Sequence, residues 1–167
     1  MCIRDSFSGA ALGESGTGCI EAHGTGTPLG DPTEAGALAA VLSVVSCRTR
    51  VNVGAAKASV GHSEAASGQV GLLRASAVID GLSASGNAQL RSLNPLVGER
   101  LGSCAASFGL ALSAVASRPS CGVSSFGYTG MIGHAVLTCA AGRLVAVRVP
   151  GQLSYRRRSF AWGQALS

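Results

Sequence analysis

The sequence is poor in lysine, in histidine and in aromatic side chains, and no two of its cysteines stand at a C-x-x-C spacing. Only Lys57 is a lysine among 13 basic residues, and there are three histidines. Without C-x-x-C pairs or a secretory leader pattern, we expect reduced thiols in an intracellular protein, in the cytoplasm or a plastid. The longest apolar stretch, near 104–116, is too short to cross a bilayer, so no membrane span is expected.

What the sequence does contain predicts one globular domain. Its length of 167 residues and 47% hydrophobic content suffice for a core, and its 24 glycines predict tight turns. Acidic residues are absent from 138–167, where five of the arginines lie. We therefore divide the chain into a leader and partial N-terminal segment (1–17), a globular part (18–139) and a basic, aromatic linker (140–167). An Arg-rich end could contact RNA, but nothing else supports nucleic-acid binding.

Two strand-to-helix junctions carry the most informative residues. The first runs from a strand at 18–23 through a glycine loop at 24–30 into a helix near 32–46, with Asp31 and Glu34 forming a capping-box pattern. The second runs from a strand at 51–55 through a polar loop into a helix at 64–81. This alternation predicts an α/β layer architecture with its chemistry at the strand ends.

The remainder of the chain gives a weaker pattern. We predict a short strand at 87–90 and a loop at 93–95. The segments 122–126 and 135–139 alternate like the two strands of a hairpin, whose glycine-bearing turn ends in His134.

Two histidines are candidates for chemistry because each closes one of the junctions. His23 follows the first strand and His62 follows the second. Imidazole exchanges protons near neutral pH and, as a donor, stabilises an enolate oxygen. We therefore expect the two rings to meet at one pocket, and we expect Lys57 to be buried and paired with Glu64 or a nearby acid.

Two other chemistries have some support in the same segments. The glycine loop precedes a helix and could hold a phosphate, but its G-x-G-x-x-x-G spacing is one residue too long for a dinucleotide fingerprint and no Gly-Lys-Ser/Thr is present. His62-Ser63-Glu64 matches a fragment of the zinc deaminase pattern, but the P-C-x-x-C partner is absent. We expect neither a nucleotide cofactor nor a metal.

Three ordered blocks of sequence resemble the β-ketoacyl synthases, and the polyketide synthase branch most of all. Glu21 to Thr27, continuing to Pro32, is similar to the EAHGTGT…GDP block of that family. Lys57 to Gly68 resembles its K-x-x-x-G-H-x-E-A-A-x-G block, and Gly122 to Gly127 resembles its GVSSFG segment. Together the blocks span roughly 18–137 and are far more specific than any one alone.

The resemblance implies the second, C-terminal half of a thiolase-like layered α/β sandwich, which forms a homodimer when complete. It implies decarboxylative Claisen condensation of an acyl thioester with a malonyl group on an acyl carrier protein, in polyketide or fatty-acid biosynthesis. His23 and His62 would be catalytic, Lys57 and Glu64 supporting, and Phe126, Gly127 and Tyr128 an acyl-gating loop. No cofactor is implied beyond the phosphopantetheine of the carrier protein.

The sequence departs from the family at two places. No segment resembles the D-T-A-C-S-S block that carries the nucleophilic cysteine, so the N-terminal half is missing, and we expect this chain alone to be inactive. The family's G-T-N-A-H appears here as Gly130 to His134, with Met131 and Ile132 in place of Thr and Asn. This change leaves open an alternative, a degenerate partner that binds acyl chains or dimerises without condensing anything.

Overall fold

A computed structural model describes residues 17–45, 50–88, 90–110, 115–116 and 120–139. The leader predicted at 1–17, apart from residue 17 itself, and the linker predicted at 140–167 lie outside the described residues. Both assignments therefore stay predictions.

The described residues form four helices and seven strands. The helices are α1 (Gly30–Val45), α2 (Lys57–Val60), α3 (Ser67–Gly81) and α4 (Pro95–Leu101), with 3-10 turns at Glu64–Ala66 and Gly102–Ser107. The strands are β1 (Cys19–Glu21), β2 (Val51–Gly54), β3 (Ser83–Ala84), β4 (Phe108–Gly109), β5 (Val115–Ala116), β6 (Ser120–Phe126) and β7 (Ile132–Thr138).

Five of the strands form one mixed sheet in the order β4-β2-β1-β6-β7. Strands β4, β2, β1 and β6 are parallel, whereas β7 returns from β6 as the antiparallel arm of a hairpin. Strand β1 lies at the centre, so the loops that follow β1 and β2 emerge side by side at one edge of the sheet. This edge, formed by the carboxyl ends of parallel strands, is where α/β folds place ligand chemistry.

Both faces of the sheet are covered by helices, and successive side chains of β1 point to opposite faces. Ile20 faces α1, where it packs in a buried cluster with Leu38, Leu42, Val51 and Phe108. Cys19 faces α3, where the second cluster contains Ala75, Val78, Ile79, Cys121 and Val123. A strand covered on both faces has an apolar sequence rather than an alternating one.

Small residues let α3 approach the sheet closely. A Cβ atom added at Gly71 would lie 3.3 Å from both the Glu21 and the Val123 side chains, and one at Gly68 would lie 3.0 Å from Ser125 Oγ. These two glycines therefore let the helix lie close to β1 and β6, although the first turn of the helix predicted at 64–81 is a 3-10 turn.

Three expectations about the fold are wrong. The described residues of the strand expected at 87–90 form none, because the Asn87 side chain itself bonds to β2 and the residue after it: its Oδ1 accepts from the Ala55 N–H and its Nδ2 donates to Val53 O. The loop expected at 93–95 ends one residue early, because Pro95 already begins helix α4, whose N-terminus is capped by Asn94 Oδ1 accepting from the Leu96 N–H. The polar loop after β2 contains the single-turn helix α2.

The expectation of reduced thiols is also contradicted, for Cys19 and Cys121. They occupy paired positions on β1 and β6 and form a buried disulfide that joins residues 102 apart in sequence. A cysteine spacing cannot reveal such a bond, because only the strand pairing brings the two together. As for membranes, none of the helices in the described part of the chain has the length and apolar character that a bilayer crossing requires.

Candidate functional site

A buried carboxylate organises the glycine loop after β1. Glu34, only 6% exposed, accepts the His23 N–H on Oε1 at 2.8 Å and the Gly24 N–H on Oε2 at 3.0 Å. Asp31 instead accepts the Gly26 N–H. The predicted capping box is therefore wrong, since helix α1 begins at Gly30 and both acids bind the loop that precedes it.

His23 stands at the end of β1, half-buried, with its ring held from two sides. The Phe126 N–H donates to Nδ1 at 3.3 Å, and the Phe126 ring packs against the imidazole with centroids 5.0 Å apart. Since a backbone N–H can only donate, Nδ1 is the unprotonated nitrogen and Nε2 carries the proton. Burial first, and the nearby Lys57 charge second, hold the pKa of His23 below its ordinary value, which favours the neutral ring.

His62 has the same tautomer, for a different local reason. It follows Gly61, whose φ of +79° turns the chain sharply after α2. Its Nδ1 accepts the Glu64 N–H at 2.8 Å and lies 3.1 Å from Ser67 Oγ, so Nε2 again carries the proton. The ring is exposed to solvent.

The two imidazoles meet, as predicted from their positions at the strand ends. Their ring centroids lie 5.9 Å apart in an edge-to-face arrangement with an interplanar angle of 89°. The loops after β1 and β2 bring together residues 39 positions apart because those strands are adjacent and parallel. The site thus presents two N–H donors on neighbouring rings.

Lys57 does not pair with Glu64. It is half-buried at the start of α2, and its Nζ donates to His23 O and lies 3.5 Å from His23 Nδ1. Burial lowers the pKa of the Lys57 ammonium, while Glu21, Glu34 and Asp31 act in the opposite direction. Glu64 is exposed, with a φ of +44°, and contributes its backbone N–H to His62.

A second buried carboxylate, that of Glu21, binds the main chain immediately before Lys57. It is 5% exposed, and it accepts the Ala56 N–H on Oε1 and the Arg74 guanidinium on Oε2. Arg74 also donates to the carbonyl and hydroxyl oxygens of Ser85. Burial raises the pKa of Glu21 despite both donors.

The β6–β7 hairpin forms the third side of the site. Its turn is closed by a 2.7 Å hydrogen bond from the Gly127 N–H to Met131 O, and Gly127, Tyr128 and Met131 are exposed. The prediction that His134 ends this turn is wrong. His134 lies within β7 opposite Ser124, with its Nδ1 3.0 Å from Ser124 Oγ. Phe126 thus contacts the site, whereas Tyr128 points to solvent; the gating role of this loop stays a prediction.

Beside the histidines is a cavity of about 590 Å³. Its walls include the glycine loop, Lys57, His62 and apolar residues of α1 and α4 such as Leu38, Val97 and Leu101. His23 is not among its walls, because the ring packs against Phe126. The two rings therefore meet, but the expectation that both face one pocket is wrong for this cavity. Among the residues that the structure describes, no three His, Cys, Asp or Glu side chains gather as they would around a metal ion.

Sequence reasoning missed most of the groups that hold the histidines. Glu34 was assigned to a helix cap, while Glu21, Arg74, Asn87 and Ser124 were given no role. Glu21 carried a usable signal, since a lone acid inside an apolar strand needs a buried partner. The partner's identity depends on the packing of α3 and is not visible in the sequence.

One prediction follows from the glycine loop. Gly24→Ala should destabilise the chain by about 2–4 kcal/mol, because Gly24 has a φ of +46° and a Cβ there would lie 2.6 Å from the Ala55 Cβ. Gly26→Ala is the matched control, since Gly26 also has a positive φ but a Cβ there meets nothing within 4 Å. It should cost only about 1–2 kcal/mol. Urea unfolding measures both, and equal losses would contradict the close approach.

Comparison with known proteins gives concordant results. Residues 1–86 match the family described as "Beta-ketoacyl synthase, C-terminal domain". A highly reducing polyketide synthase of Aspergillus carbonarius is 41% identical over 98 residues, which are 59% of this chain and 4% of that protein. A reducing polyketide synthase of Alternaria solani is 40% identical over 144 residues, 81% of this chain and 6% of that protein.

Solved structures resemble the fold as well. A ketosynthase domain of the oxazolomycin system of Streptomyces albus superposes with a TM-score of 0.73 at 28% identity, over 84% of this chain and 25% of that one. Ketosynthase twelve of the bacillaene polyketide synthase of Bacillus amyloliquefaciens superposes with a TM-score of 0.72 at 26% identity, over 84% and 26%. The chain therefore spans about a quarter of these structures and a far smaller part of the curated relatives.

Proposed function

Since the chain belongs to the β-ketoacyl synthase family, as a C-terminal domain of the polyketide synthase type with a thiolase-like α/β fold, we propose that it supplies the histidine half of a condensing site. The observation that supports this most directly is the meeting of His23 and His62, each with Nδ1 occupied by a donor and Nε2–H free to donate. Two such donors suit an oxygen that gains negative charge during a reaction.

In the proposed reaction, a malonyl thioester places its carbonyl oxygen between the two Nε2–H groups. The bond to the malonyl carboxylate breaks, carbon dioxide leaves, and the electron pair forms an enolate whose oxygen both imidazoles stabilise. His23 acts here as a neutral donor, because its Nδ1 accepts the Phe126 N–H and a protonated ring cannot accept that bond. The depressed pKa of His23 keeps that ring neutral at physiological pH.

Carbon–carbon bond formation needs a group that lies outside this half. The enolate carbon attacks an acyl group held as a thioester on a cysteine, the carbon–sulfur bond breaks, and the cysteine leaves as thiolate. Apart from Cys19 and Cys121, the described residues include Cys104 and Cys139, which are half-buried and lie outside the three family-like blocks. We propose that the N-terminal half of the synthase provides the nucleophile and that an acyl carrier protein delivers both thioesters.

The outer side of α3 is the surface we assign to that N-terminal half. Leu72 and Leu73 are 42% and 72% exposed on the helix that also carries Ser67, a contact of His62. A helix with apolar residues on its inner and outer sides belongs in an interior. A partner packed here would also cover the exposed His62 ring and exclude water from the site.

Reconstitution tests the proposal. The chain is mixed with, or fused to, the N-terminal half of a polyketide ketosynthase, and carbon dioxide release from malonyl carrier protein is measured together with acylation by an acyl thioester. We expect the chain alone to do neither, and the reconstituted domain to do both. Acylation without decarboxylation would instead favour the non-condensing partner suggested by the Met131-Ile132 change. Failure of both in a folded, associated domain would reject the proposal.

The pH dependence of the site gives a further prediction. Because the Lys57 charge helps to lower the pKa of His23, Lys57→Met should raise that pKa toward its ordinary value. Without the Lys57 ammonium, the protonated His23 ring is repelled less and therefore forms at a higher pH. The acid limb of the pH profile of decarboxylation, where His23 becomes protonated, should move to higher pH by the same shift. Lys57→Arg, which keeps the charge, is the control and should leave the limb nearly in place. NMR titration of His23 measures the same shift, and an unchanged His23 titration in Lys57→Met would contradict it.

A further inference from the structure

The carboxyl end of strand β2 has a stretch of main chain that pairs with no strand on one side. In the described part of the chain, β4 pairs with only the first two residues of β2. Gly54 O accepts the Ala22 N–H on the β1 side, and successive carbonyl groups of a strand point to opposite sides. Val53 O and the Ala55 N–H therefore point to the side that β4 leaves open.

The side chain of Asn87 binds both of these main-chain groups. Its Oδ1 accepts the Ala55 N–H at 3.1 Å, and its Nδ2 donates to Val53 O at 2.9 Å. One partner can only donate and the other can only accept, so the two bonds determine which end of the amide is which. The half-buried side chain thus takes the place of a further residue of β4.

The main chain held in this way leads directly to Lys57. The next N–H, that of Ala56, is accepted by Glu21 Oε1. Helix α2 then begins at Lys57, whose Nζ donates to His23 O. The place of the ammonium therefore depends on where β2 ends, and Asn87 and Glu21 bind that end.

We propose that Asn87 is a positioning residue of the candidate site: by binding the end of β2, it places the Lys57 ammonium against the His23 carbonyl oxygen. The importance of Asn87 for condensation rests on the proposed function, whereas the placement of Lys57 does not.

The placement of Lys57 can be observed at the His23 ring. Burial first, the Lys57 charge second and the His62 charge third lower the pKa of His23, while Asp31 acts in the opposite direction. If the end of β2 loses its anchor, the ammonium lies farther from the ring on average, and the His23 pKa should rise. Because other groups also act on this pKa, the test has to isolate the part that comes from Lys57.

The first experiment measures the His23 titration by NMR in the full chain, in Asn87→Ala, in Lys57→Met and in the double variant. We expect Asn87→Ala to raise the His23 pKa by about half or more of the shift that Lys57→Met causes. In the double variant, Asn87→Ala should add nothing to that shift, because the ammonium that it displaces is gone. Additive shifts, or no shift in Asn87→Ala, would overturn the proposal.

Asn94→Ala is the matched control. The Asn94 Oδ1 also accepts a main-chain N–H, that of Leu96, but at the start of α4. Loss of this cap should also destabilise the chain, yet it should leave the His23 titration in place. If Asn94→Ala moved the His23 pKa as far as Asn87→Ala does, general loosening would explain the shift, and the positioning role would be overturned.

A measurement on the unmodified chain covers the case that Asn87→Ala does not fold. The Asn87 side-chain amide donates to Val53 O, whereas the Asn94 side chain is exposed. The Asn87 Nδ2–H that faces Val53 should therefore exchange with solvent at least about tenfold more slowly than the side-chain amide protons of Asn94. Equal exchange would overturn the proposal, because Asn87 would then not be bound to β2.

The reconstituted synthase separates this proposal from the proposed function. In Asn87→Ala, the acid limb of the pH profile of decarboxylation should move to higher pH, as in Lys57→Met. An acid limb that stays in place in an active Asn87→Ala synthase would overturn the positioning role. If the His23 titrations are as expected but the reconstituted synthase does not decarboxylate, the placement of Lys57 is supported and the proposed function alone is rejected.

Discussion

Replacing His23 by alanine should slow malonyl decarboxylation by the reconstituted domain about 100- to 1,000-fold, the usual loss when one donor to a developing oxyanion is removed. His62→Ala should cost a similar factor, because in the proposed reaction each ring offers one Nε2–H to the same oxygen. The double variant should lose less than the product of the two factors, since neighbouring groups that act on one atom are not additive. Stopped-flow or radiometric detection of carbon dioxide measures all three.

The control is Ser76→Ala on α3, where the exposed hydroxyl donates back to Leu72 O and contacts neither ring. It should leave the rate unchanged. Since His23→Ala also deprives the Phe126 N–H of its acceptor, hydrogen exchange at Phe126 separates loss of the donor from disorder of the hairpin. Decarboxylation at an undiminished rate in either single variant would remove that histidine from the mechanism.

Removal of Arg74 should have the largest effect on stability. Glu21 is buried under the site with Arg74 as its ionic partner, so Arg74→Met leaves an uncompensated buried carboxylate. Such a loss typically costs about 3–5 kcal/mol in the free energy of unfolding. Chemical denaturation of the chain, or of the reconstituted domain, measures it.

Arg91→Met provides the matched substitution at an exposed arginine and should change stability by less than about 0.5 kcal/mol. Adding Glu21→Gln to Arg74→Met should recover part of the loss, because a neutral amide is less costly to bury than a charge. If Arg74→Met were as mild as Arg91→Met, Glu21 would have to be protonated in the folded chain, a state toward which its raised pKa already tends.

The position of the histidines could be predicted because it depends on local pattern and general topology. A strand, a glycine loop and a helix recur around His23 and around His62, and adjacent parallel strands bring the two loops to one edge. Leu38 and Leu42, both buried against the sheet, are four residues apart, the spacing that places two side chains on one face of a helix. These features need no knowledge of which elements pack together elsewhere.

The contacts that hold the site could not be predicted because they join distant segments. Lys57 was expected to pair with Glu64 or a nearby acid, but Glu64 lies exposed in a 3-10 turn and the Lys57 ammonium lies beside His23. Asn87 was assigned to a strand, although its amide makes the bonds to β2 that a strand backbone would make. In both cases a side chain hydrogen-bonds to a main-chain group of a distant segment, and sequence periodicity does not predict such bonds.

The carboxylates of Glu21, Asp31 and Glu34 all bind main-chain N–H groups at the two histidine loops. Two of them are buried, and dissolved ions screen buried interactions much less than exposed ones. The shape of the two loops should therefore be almost indifferent to ionic strength, whereas the docking of a charged carrier protein should weaken as salt is added. If both properties are measured on one preparation as salt is added, the binding of the carrier protein should weaken while the order of the two loops stays the same.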